Sequence, residues 1–472
     1  MLRRFALAWV FVGCLGWSVT APAQLVGRPC VSCGGTSCVS PGSCVGALPG
    51  GASWGPNRFT TSYAPGPCDQ PPTRTALGRL GMEKAWLGFV PLGATESLLT
   101  LTLAEDLIIA QTDRANVIAL DAESGQLLWT SNLGRPTSQA KPAAVNSDSV
   151  FATNANVLFQ LDRGTGREVR SFQLEDFAAS APAANEEYVA VGTNGGKVMG
   201  FRVRDHRLDK PPGQRPGFAF AWKSQSTVTS RPIVTDRVLA FGSQDRRLFV
   251  ATMDEPQEIV YRYLTAGPIV ANLGTYGNRT LLVPSTDNTL YAVDVFNPED
   301  PKQVHWEFPT GAPVDQEPLI AGEDIYVINN RGTLFSIEPK SGTVEWVRTT
   351  GGGKLLALSP KRVYILSPDG DLFLIDRLTG DVLASPRATR EGAGLCLRRY
   401  NMHLTNPLND RLYLATKTGE IVALREIGAL KPTLLREGQE KFATVKKDAE
   451  LVAPPDAQPP DVGGMQPGGD NP

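Results

Sequence analysis

Short apolar segments recur along most of this chain, and turns that contain acidic residues and glycine separate them. In the clearest example, β-branched and other apolar residues run from Val117 to Asp121, Ser124 and Gly125 follow, and a second segment leads to Trp129. Such β-rich runs predict strands, and a glycine after the acidic residue allows the positive φ angle of a tight hairpin. This stretch therefore predicts a hairpin of two strands.

The same hairpin recurs at spacings of roughly 40 residues, which is the period of propeller blades. The acidic and glycine positions of its copies are Asp121 and Gly125, Asp162 and Gly166, Glu338 and Gly342, and Asp376 and Gly380. An acidic side chain at this position accepts hydrogen bonds from turn amides. We therefore interpret these carboxylates as structural clamps of the turns and not as catalytic groups.

Each repeat ends in a strand that carries a large aromatic residue or its replacement. The eight positions are Trp86, Trp129, Arg170, Trp222, Tyr261, Trp306, Trp346 and Ala384. One hairpin cannot bury such a ring, so the ring has to pack on a neighbouring repeat. The sequence thus predicts an all-β protein, an eight-bladed β-propeller of four-stranded antiparallel blades. Seven blades are the alternative if the fourth repeat, whose motif is reduced to residues 251–254, is irregular.

The two ends of the repeat region complement each other. The last repeat supplies the strands around Leu412–Leu414 and Ile421–Leu424 but has no tryptophan strand, whereas the strand around Trp86 has no partner strands before it. We predict that these strands pair in one blade. This pairing closes the ring and removes its open sheet edges.

The predicted propeller occupies residues 81–427, and the remaining segments differ from it in composition. Residues 1–23 combine a basic start, an apolar stretch and small residues, which predicts a secretory signal peptide and a mature chain in the periplasm or cell envelope. Lipoprotein processing and lipid anchoring at Cys14 is the alternative. Residues 24–80 are rich in cysteine, glycine and proline, and the Pro/Gly-rich residues 428–472 are predicted to be a disordered tail. No apolar segment of the predicted mature chain is long enough for a transmembrane helix.

The cysteines of the predicted mature chain are expected to form disulfides, because exported proteins fold in oxidising compartments. They are Cys30, Cys33, Cys38, Cys44, Cys68 and Cys396. Their spacing matches neither a haem attachment site nor a paired zinc ribbon, so we expect no metal. Since ring closure brings the neighbourhoods of Cys68 and Cys396 together, we predict a disulfide between them.

These repeats resemble the pyrroloquinoline-quinone-like (PQQ-like) β-propeller repeat family, whose tryptophan-docking motif is matched at Ala119, Asp121, Ser124, Gly125 and Trp129. The resemblance covers about residues 82 to 427. The family includes enzymes and non-catalytic scaffolds, among them the propeller subunit of the outer-membrane β-barrel assembly machine. The resemblance thus implies, as the leading hypothesis, an exported monomeric scaffold without catalytic residues or cofactor that binds a protein partner in the envelope.

Two alternatives remain open. The first is a PQQ-dependent dehydrogenase, in which the quinone lies over the ring axis with calcium; such enzymes typically carry adjacent cysteines under the cofactor, and this chain has none. The second is a carbohydrate-binding envelope protein. The three histidines, His206, His305 and His403, have no nucleophile or ligand at motif spacing, so we interpret them as surface or packing residues.

Charge narrows the range of partners. The chain has 46 basic and 48 acidic residues and a net charge of −2, which argues against a nucleic-acid partner. The longest interruption between motifs is a basic insertion from residue 202 to residue 215. It is either a hairpin that is merely solvated or a docking element. Basic loops on a rigid ring can serve as docking elements, and the candidate binding residues are Arg202, Arg204, Arg207, Lys210 and Arg215.

Overall fold

The structure, a computed structural model, describes residues 68–137, 139–204, 217–253, 258–295 and 304–436. The chain divides into two units, residues 1–63 and 64–472, and all described residues belong to the second. The described residues form 32 strands in eight antiparallel sheets of four strands each. The fold is an eight-bladed β-propeller, as the repeats predict.

Seven blades are built from consecutive strands, and the first strand of each blade lies nearest the ring axis. Strand β1 (Met82–Phe89) belongs to blade eight. The strands of blades one to four are β2 (Leu98–Ala104), β3 (Leu107–Thr112), β4 (Asn116–Asp121) and β5 (Leu127–Asn132); β6 (Ala144–Val145), β7 (Ser149–Asn154), β8 (Val157–Asp162) and β9 (Glu168–Gln173); β10 (Ala183–Ala184), β11 (Tyr188–Gly192), β12 (Lys197–Arg202) and β13 (Phe218–Lys223); and β14 (Ile233–Val234), β15 (Val238–Gly242), β16 (Arg247–Thr252) and β17 (Ile259–Leu264).

The strands of blades five to seven are β18 (Gly274–Tyr276), β19 (Thr280–Pro284), β20 (Thr289–Asp294) and β21 (Val304–Pro309); β22 (Leu319–Ala321), β23 (Asp324–Ile328), β24 (Thr333–Ile337) and β25 (Val344–Thr349); and β26 (Lys354–Leu358), β27 (Arg362–Leu366), β28 (Leu372–Asp376) and β29 (Val382–Ala384). Blade eight combines β30 (Met402–His403), β31 (Leu412–Ala415) and β32 (Glu420–Glu426) with β1. Two six-residue helices complete the described elements, α1 (Arg74–Arg79) and a π-type helix (Ala388–Ala393).

Ring closure follows the predicted pairing. In blade eight β1 runs antiparallel to β32, and Trp86 lies opposite Ala423. Blade four, the reason for considering seven blades, is regular, because β16 pairs with β17 along its length and Val250 lies opposite Tyr261. The ring therefore has eight blades.

The acidic residues of the repeated turns act as clamps. The Asp121 carboxylate accepts hydrogen bonds from the backbone N–H of Ser124 at 2.7 Å and from its hydroxyl at 2.6 Å. The equivalent pairs are Asp162 with Thr165, Glu338 with Ser341, and Asp376 with Thr379. These bonds to the charged form lower the pKa of Asp162, Glu338 and Asp376.

Tryptophan docking joins neighbouring blades. The Trp129 ring covers Gly166 of the next blade, and its indole N–H donates to the Arg163 carbonyl at 2.7 Å. The same contact pairs Trp86 with Gly125, Trp306 with Gly342, and Trp346 with Gly380. Each of these glycines has a φ angle near +70°, and a Cβ atom there would overlap the ring. Glycine is thus required both by backbone conformation and by the space that the indole takes.

Blade three departs from the predicted assignment. Phe220, and not Trp222, occupies the docking register, because Phe220 lies opposite Gly200 just as Trp129 lies opposite Ala119 in blade one. The Phe220 ring is buried, whereas Trp222 is only half-buried and stacks on it with ring centroids 4.3 Å apart.

Helix α1 packs at the junction where blade seven lacks a docking ring. The docking position of β29 holds only the small side chain of Ala384. Leu77 of α1 is fully buried in the cluster that contains Ala384 and Tyr400. The end of the predicted N-terminal segment, residues 68–80, therefore packs on the ring, and the predicted disulfide between Cys68 and Cys396 is present there with the Cα atoms 5.0 Å apart.

Candidate functional site

The antiparallel order of the strands gives the ring two different ends. Turns between the third and fourth strands, which carry the acidic clamps, lie at the same end as the turns between the first and second strands. We call this the motif end. The turns between second and third strands and most connections between blades lie at the opposite end. Two cavities among the described residues open at the motif end.

A cavity of about 410 Å³ lies on the ring axis. The first strands of blades one to six line it, together with the side chains of Arg231, Glu317 and Arg436. Glu317 accepts a hydrogen bond from Asn272 at 2.8 Å and lies 3.4 Å from Arg231. Burial lowers the pKa of Arg436, whose guanidinium donates to the Thr275 hydroxyl at 3.0 Å.

The chain crosses the motif end after β32, and we call residues 427–436 the strap. Asp410 N–H donates to the Thr433 carbonyl at 3.1 Å, and Leu435 N–H donates to the Leu408 carbonyl at 3.0 Å. Leu435 is 6% exposed and packs in the cluster between blades six and seven. The sequence predicts a disordered tail from residue 428 onwards. Residues 428–436 do not fit this prediction, because backbone hydrogen bonds and the burial of Leu435 hold them on the propeller.

A second cavity, of about 630 Å³, lies between blade eight, blade one and the strap, and we call it the seam groove. Its apolar walls include Leu408, Tyr413, Pro432 and Leu434. Burial raises the pKa of Tyr413 to about 12, and its hydroxyl donates to the Ala122 carbonyl at 3.3 Å. Since the Trp86 indole donates to the same carbonyl at 3.0 Å, the floor of the groove belongs to the docking contact that closes the ring.

Four carboxylates lie along the blade-one side of the seam groove, those of Glu105, Asp106, Asp121 and Glu123. Arg163 forms ion pairs with Glu105, at 3.2 Å, and with Asp106. Within the described part of the chain, neither Asp121 nor Glu123 forms a salt bridge. The groove is therefore apolar inside and acidic along one rim.

The basic insertion is only partly described. Arg204 forms ion pairs with Asp148 and Glu186, the second at 3.8 Å, and the Arg202 guanidinium lies 5.6 Å from the centre of the Tyr188 ring. The side chains of Arg202 and Arg204 thus contact residues of the propeller blades. Arg207, Lys210 and Arg215 lie outside the described residues, as do the remaining cysteines Cys30, Cys33, Cys38 and Cys44, and Cys14.

The two described histidines lie apart. His305 is on β21, with Nε2 3.7 Å from the Asp294 carboxylate. His403 lies on β30, where burial and the neighbouring Lys354 lower its pKa. The described ranges contain no cluster of three or more metal-ligating side chains and no helix with the length and apolarity to cross a membrane.

Sequence reasoning missed the strap and the seam groove. The signal was present as the apolar residues Leu430, Leu434 and Leu435, which interrupt the polar composition directly after the last strand. No sequence motif identifies such a segment, because the hydrogen-bond partners of Leu435 are distant in the sequence. Its N–H donates to the Leu408 carbonyl, and its carbonyl accepts from the Gly322 N–H.

Comparisons with known proteins agree with this architecture. The family model described as outer membrane protein assembly factor BamB matches residues 70–262 and 254–429. The outer membrane protein assembly factor BamB of Shewanella oneidensis is 24% identical over 104 residues, which are 22% of this chain and 25% of that protein. This match thus spans about a quarter of the length of the curated relative.

Two solved structures share the fold. The crystal structure of BamB from Moraxella catarrhalis matches with a TM-score of 0.55 and 13% identity, over 74% of this chain and 98% of that chain. The computationally designed Ika8 protein matches with a TM-score of 0.52 and 15% identity, over 72% of this chain and 98% of that chain. With its closed ring of eight four-stranded blades and a family match that extends over most of its length, the chain belongs to the BamB family of outer membrane protein assembly factors.

Proposed function

We propose that this protein is an exported, non-catalytic scaffold that binds protein partners in the cell envelope during the assembly of outer-membrane proteins. The observation that carries the proposal is the BamB family match, which extends across all eight blades. The signal-like composition of residues 1–23 supports export to the periplasm.

The shape of the described ring supports a binding role. Blade-to-blade docking and strand closure hold the turns of the motif end on a rigid frame, and grooves between rigid blades are suited to protein recognition. Since the closed ring pairs β1 with β32, the proposed scaffold works as a monomer that needs no second copy to cover a sheet edge.

The experiment is a deletion of the gene in the native organism. The proposal predicts lower amounts of folded outer-membrane β-barrel proteins, measured by their heat-dependent mobility in gel electrophoresis. Expression of the full chain in the deletion strain is expected to restore the amounts of these barrel proteins, whereas expression of a chain without residues 1–23 is not. Unchanged barrel levels in the deletion strain would contradict the assembly role, and rescue by the chain without residues 1–23 would contradict export.

A second measurement separates the scaffold from an enzyme. Protein purified from native membranes is expected to bring down components of the outer-membrane assembly machinery and to lack the absorbance of a bound quinone. A stoichiometric quinone spectrum would overturn the non-catalytic proposal.

A further inference from the structure

The seam groove combines two properties that point to one kind of ligand. Its walls are apolar, and Leu434 of the strap is 56% exposed at its edge. Its rim on blade one carries four carboxylates, of which Glu123 is exposed and Asp121 and Glu123 form no salt bridge among the described residues. Contiguous apolar surface beside uncompensated charge is typical of a protein-binding site.

Opposing charge inside the groove is limited. Arg163 is shared between Glu105 and Asp106, and Arg436 directs its guanidinium to Thr275 in the axial cavity. The rim therefore keeps an excess of negative charge. A basic ligand gains from this potential, whereas an acidic ligand is repelled.

The groove is also preformed. Trp86 and Tyr413 both donate to the Ala122 carbonyl on its floor, and hydrogen bonds between Thr433 and Asp410 in both directions hold the strap wall. A volume of about 630 Å³ lies within the range of sites that enclose a ligand. Because these walls are already ordered, a ligand does not have to order them on binding.

We infer that the seam groove binds a short segment of a partner protein in which apolar side chains are flanked by lysine or arginine. The apolar side chains fill the space between Leu408, Tyr413 and Leu434, and the basic side chains face Asp121 and Glu123. This inference rests on the proposed scaffold function and names the chemistry of one partner.

The test uses the purified full chain and a fluorescein-labelled synthetic peptide of about ten residues, with leucines at its centre and two lysines at each end. Fluorescence anisotropy measures its affinity at low and at physiological salt. Two matched peptides replace the lysines by glutamates or the leucines by serines. We expect binding of the first peptide to weaken with salt and both matched peptides to bind at least about tenfold more weakly.

Four variants locate the binding. Glu123→Lys and Leu434→Asp change exposed groove residues and are expected to lower the affinity about tenfold. Glu168→Lys, on the outer strand of blade two, and Leu378→Asp, in the motif turn of blade seven, change equally accessible residues elsewhere and are expected to leave the affinity unchanged. Circular dichroism confirms that each variant is folded.

Several outcomes overturn the inference. These are equal affinity of wild type and groove variants, a preference for the glutamate peptide, or equal losses in the control variants. A more than tenfold gain in affinity on removing residues 437–472 would identify the chain's own C-terminal segment as the occupant instead. The peptide assay does not depend on barrel levels in the deletion strain, so failure of the groove and failure of the assembly role are distinguishable.

Discussion

The indole ring of Trp129 lies directly over the α-carbon of Gly166 in the next blade. A Cβ atom on Gly166 would come within 2.3 Å of the ring atom Cε3, and the φ angle of this glycine is +71°. Asp162, the acidic residue at the start of the same turn, accepts hydrogen bonds from Thr165 through its carboxylate. One short turn thus both ends a hairpin and receives the side chain that joins two blades.

Gly166→Ala is therefore expected to lower the free energy of unfolding by at least about 2 kcal/mol more than Gly134→Ala. Gly134 is the matched control, because it also has a positive φ angle, +95°, but no atom lies within 4 Å of its hypothetical Cβ. Urea unfolding monitored by tryptophan fluorescence measures the difference. Equal midpoints for the two variants would contradict the docking argument.

The disulfide between Cys68 and Cys396 should contribute substantially to stability. It joins residues 328 positions apart, and the chain-entropy model gives about 6 kcal/mol for a loop of this size. The variant that carries both Cys68→Ser and Cys396→Ser is expected to unfold at a lower temperature in differential scanning calorimetry. Peptide mapping without reduction checks the pairing itself, and an alkylatable Cys396 thiol in the native protein would count against it.

Removal of β1 should open the ring. A protein lacking residues 1–89 exposes the edge of β32, and unpaired edges promote association. We expect oligomers in size-exclusion chromatography with light scattering, whereas a protein lacking only residues 1–67 remains monomeric. A monomeric and equally heat-resistant protein without residues 1–89 would show that closure contributes little.

Acid should weaken the repeated turns. Hydrogen bonds lower the pKa of Asp162, Glu338 and Asp376 in the folded state, so these groups add stability above their unfolded pKa values, and that stability is lost as the pH falls through the folded values. The triple variant Asp162→Asn, Glu338→Gln and Asp376→Asn is expected to lose less stability than wild type between pH 5 and pH 3. Parallel unfolding curves for the two proteins would contradict the clamp interpretation.

The basic insertion is a second proposed docking element. Reversal of Arg204, Arg207 and Lys210 to glutamate is expected to weaken capture of assembly-machinery components from native membranes and to reduce the salt dependence of capture. Arg135→Glu, an exposed change elsewhere on the ring, serves as the control. Unchanged capture by the triple variant would remove the insertion as a docking element.

The fold was predictable because its signal repeats. Each of the turns at Asp121, Asp162, Glu338 and Asp376 shows the same residue types in the same order, and one blade is stable only beside another. The identity of the docking ring in blade three was not predictable from alternation. Phe220 and Trp222 lie two residues apart on one strand and thus point to the same face.

The seam groove was beyond sequence reasoning for a different reason. Its walls come from the first and last blades and from the strap, so residues 122, 413 and 434 meet only after the ring has closed. Likewise, nothing in the local sequence shows that Leu77 packs in the same cluster as Ala384, the small residue at the docking position of blade seven. Such non-local contacts follow from topology rather than from local pattern.

The position of the disulfide determines how the protein would respond to mechanical force. Every strand from Met82 to Ala384 lies between Cys68 and Cys396 along the chain. Tension applied to the two chain ends passes through the sulfur–sulfur bond and bypasses seven blades and β1. Of the described strands, only β30, β31 and β32 follow Cys396 and can be peeled away, so an intact disulfide limits forced extension to the segments outside the cysteine pair.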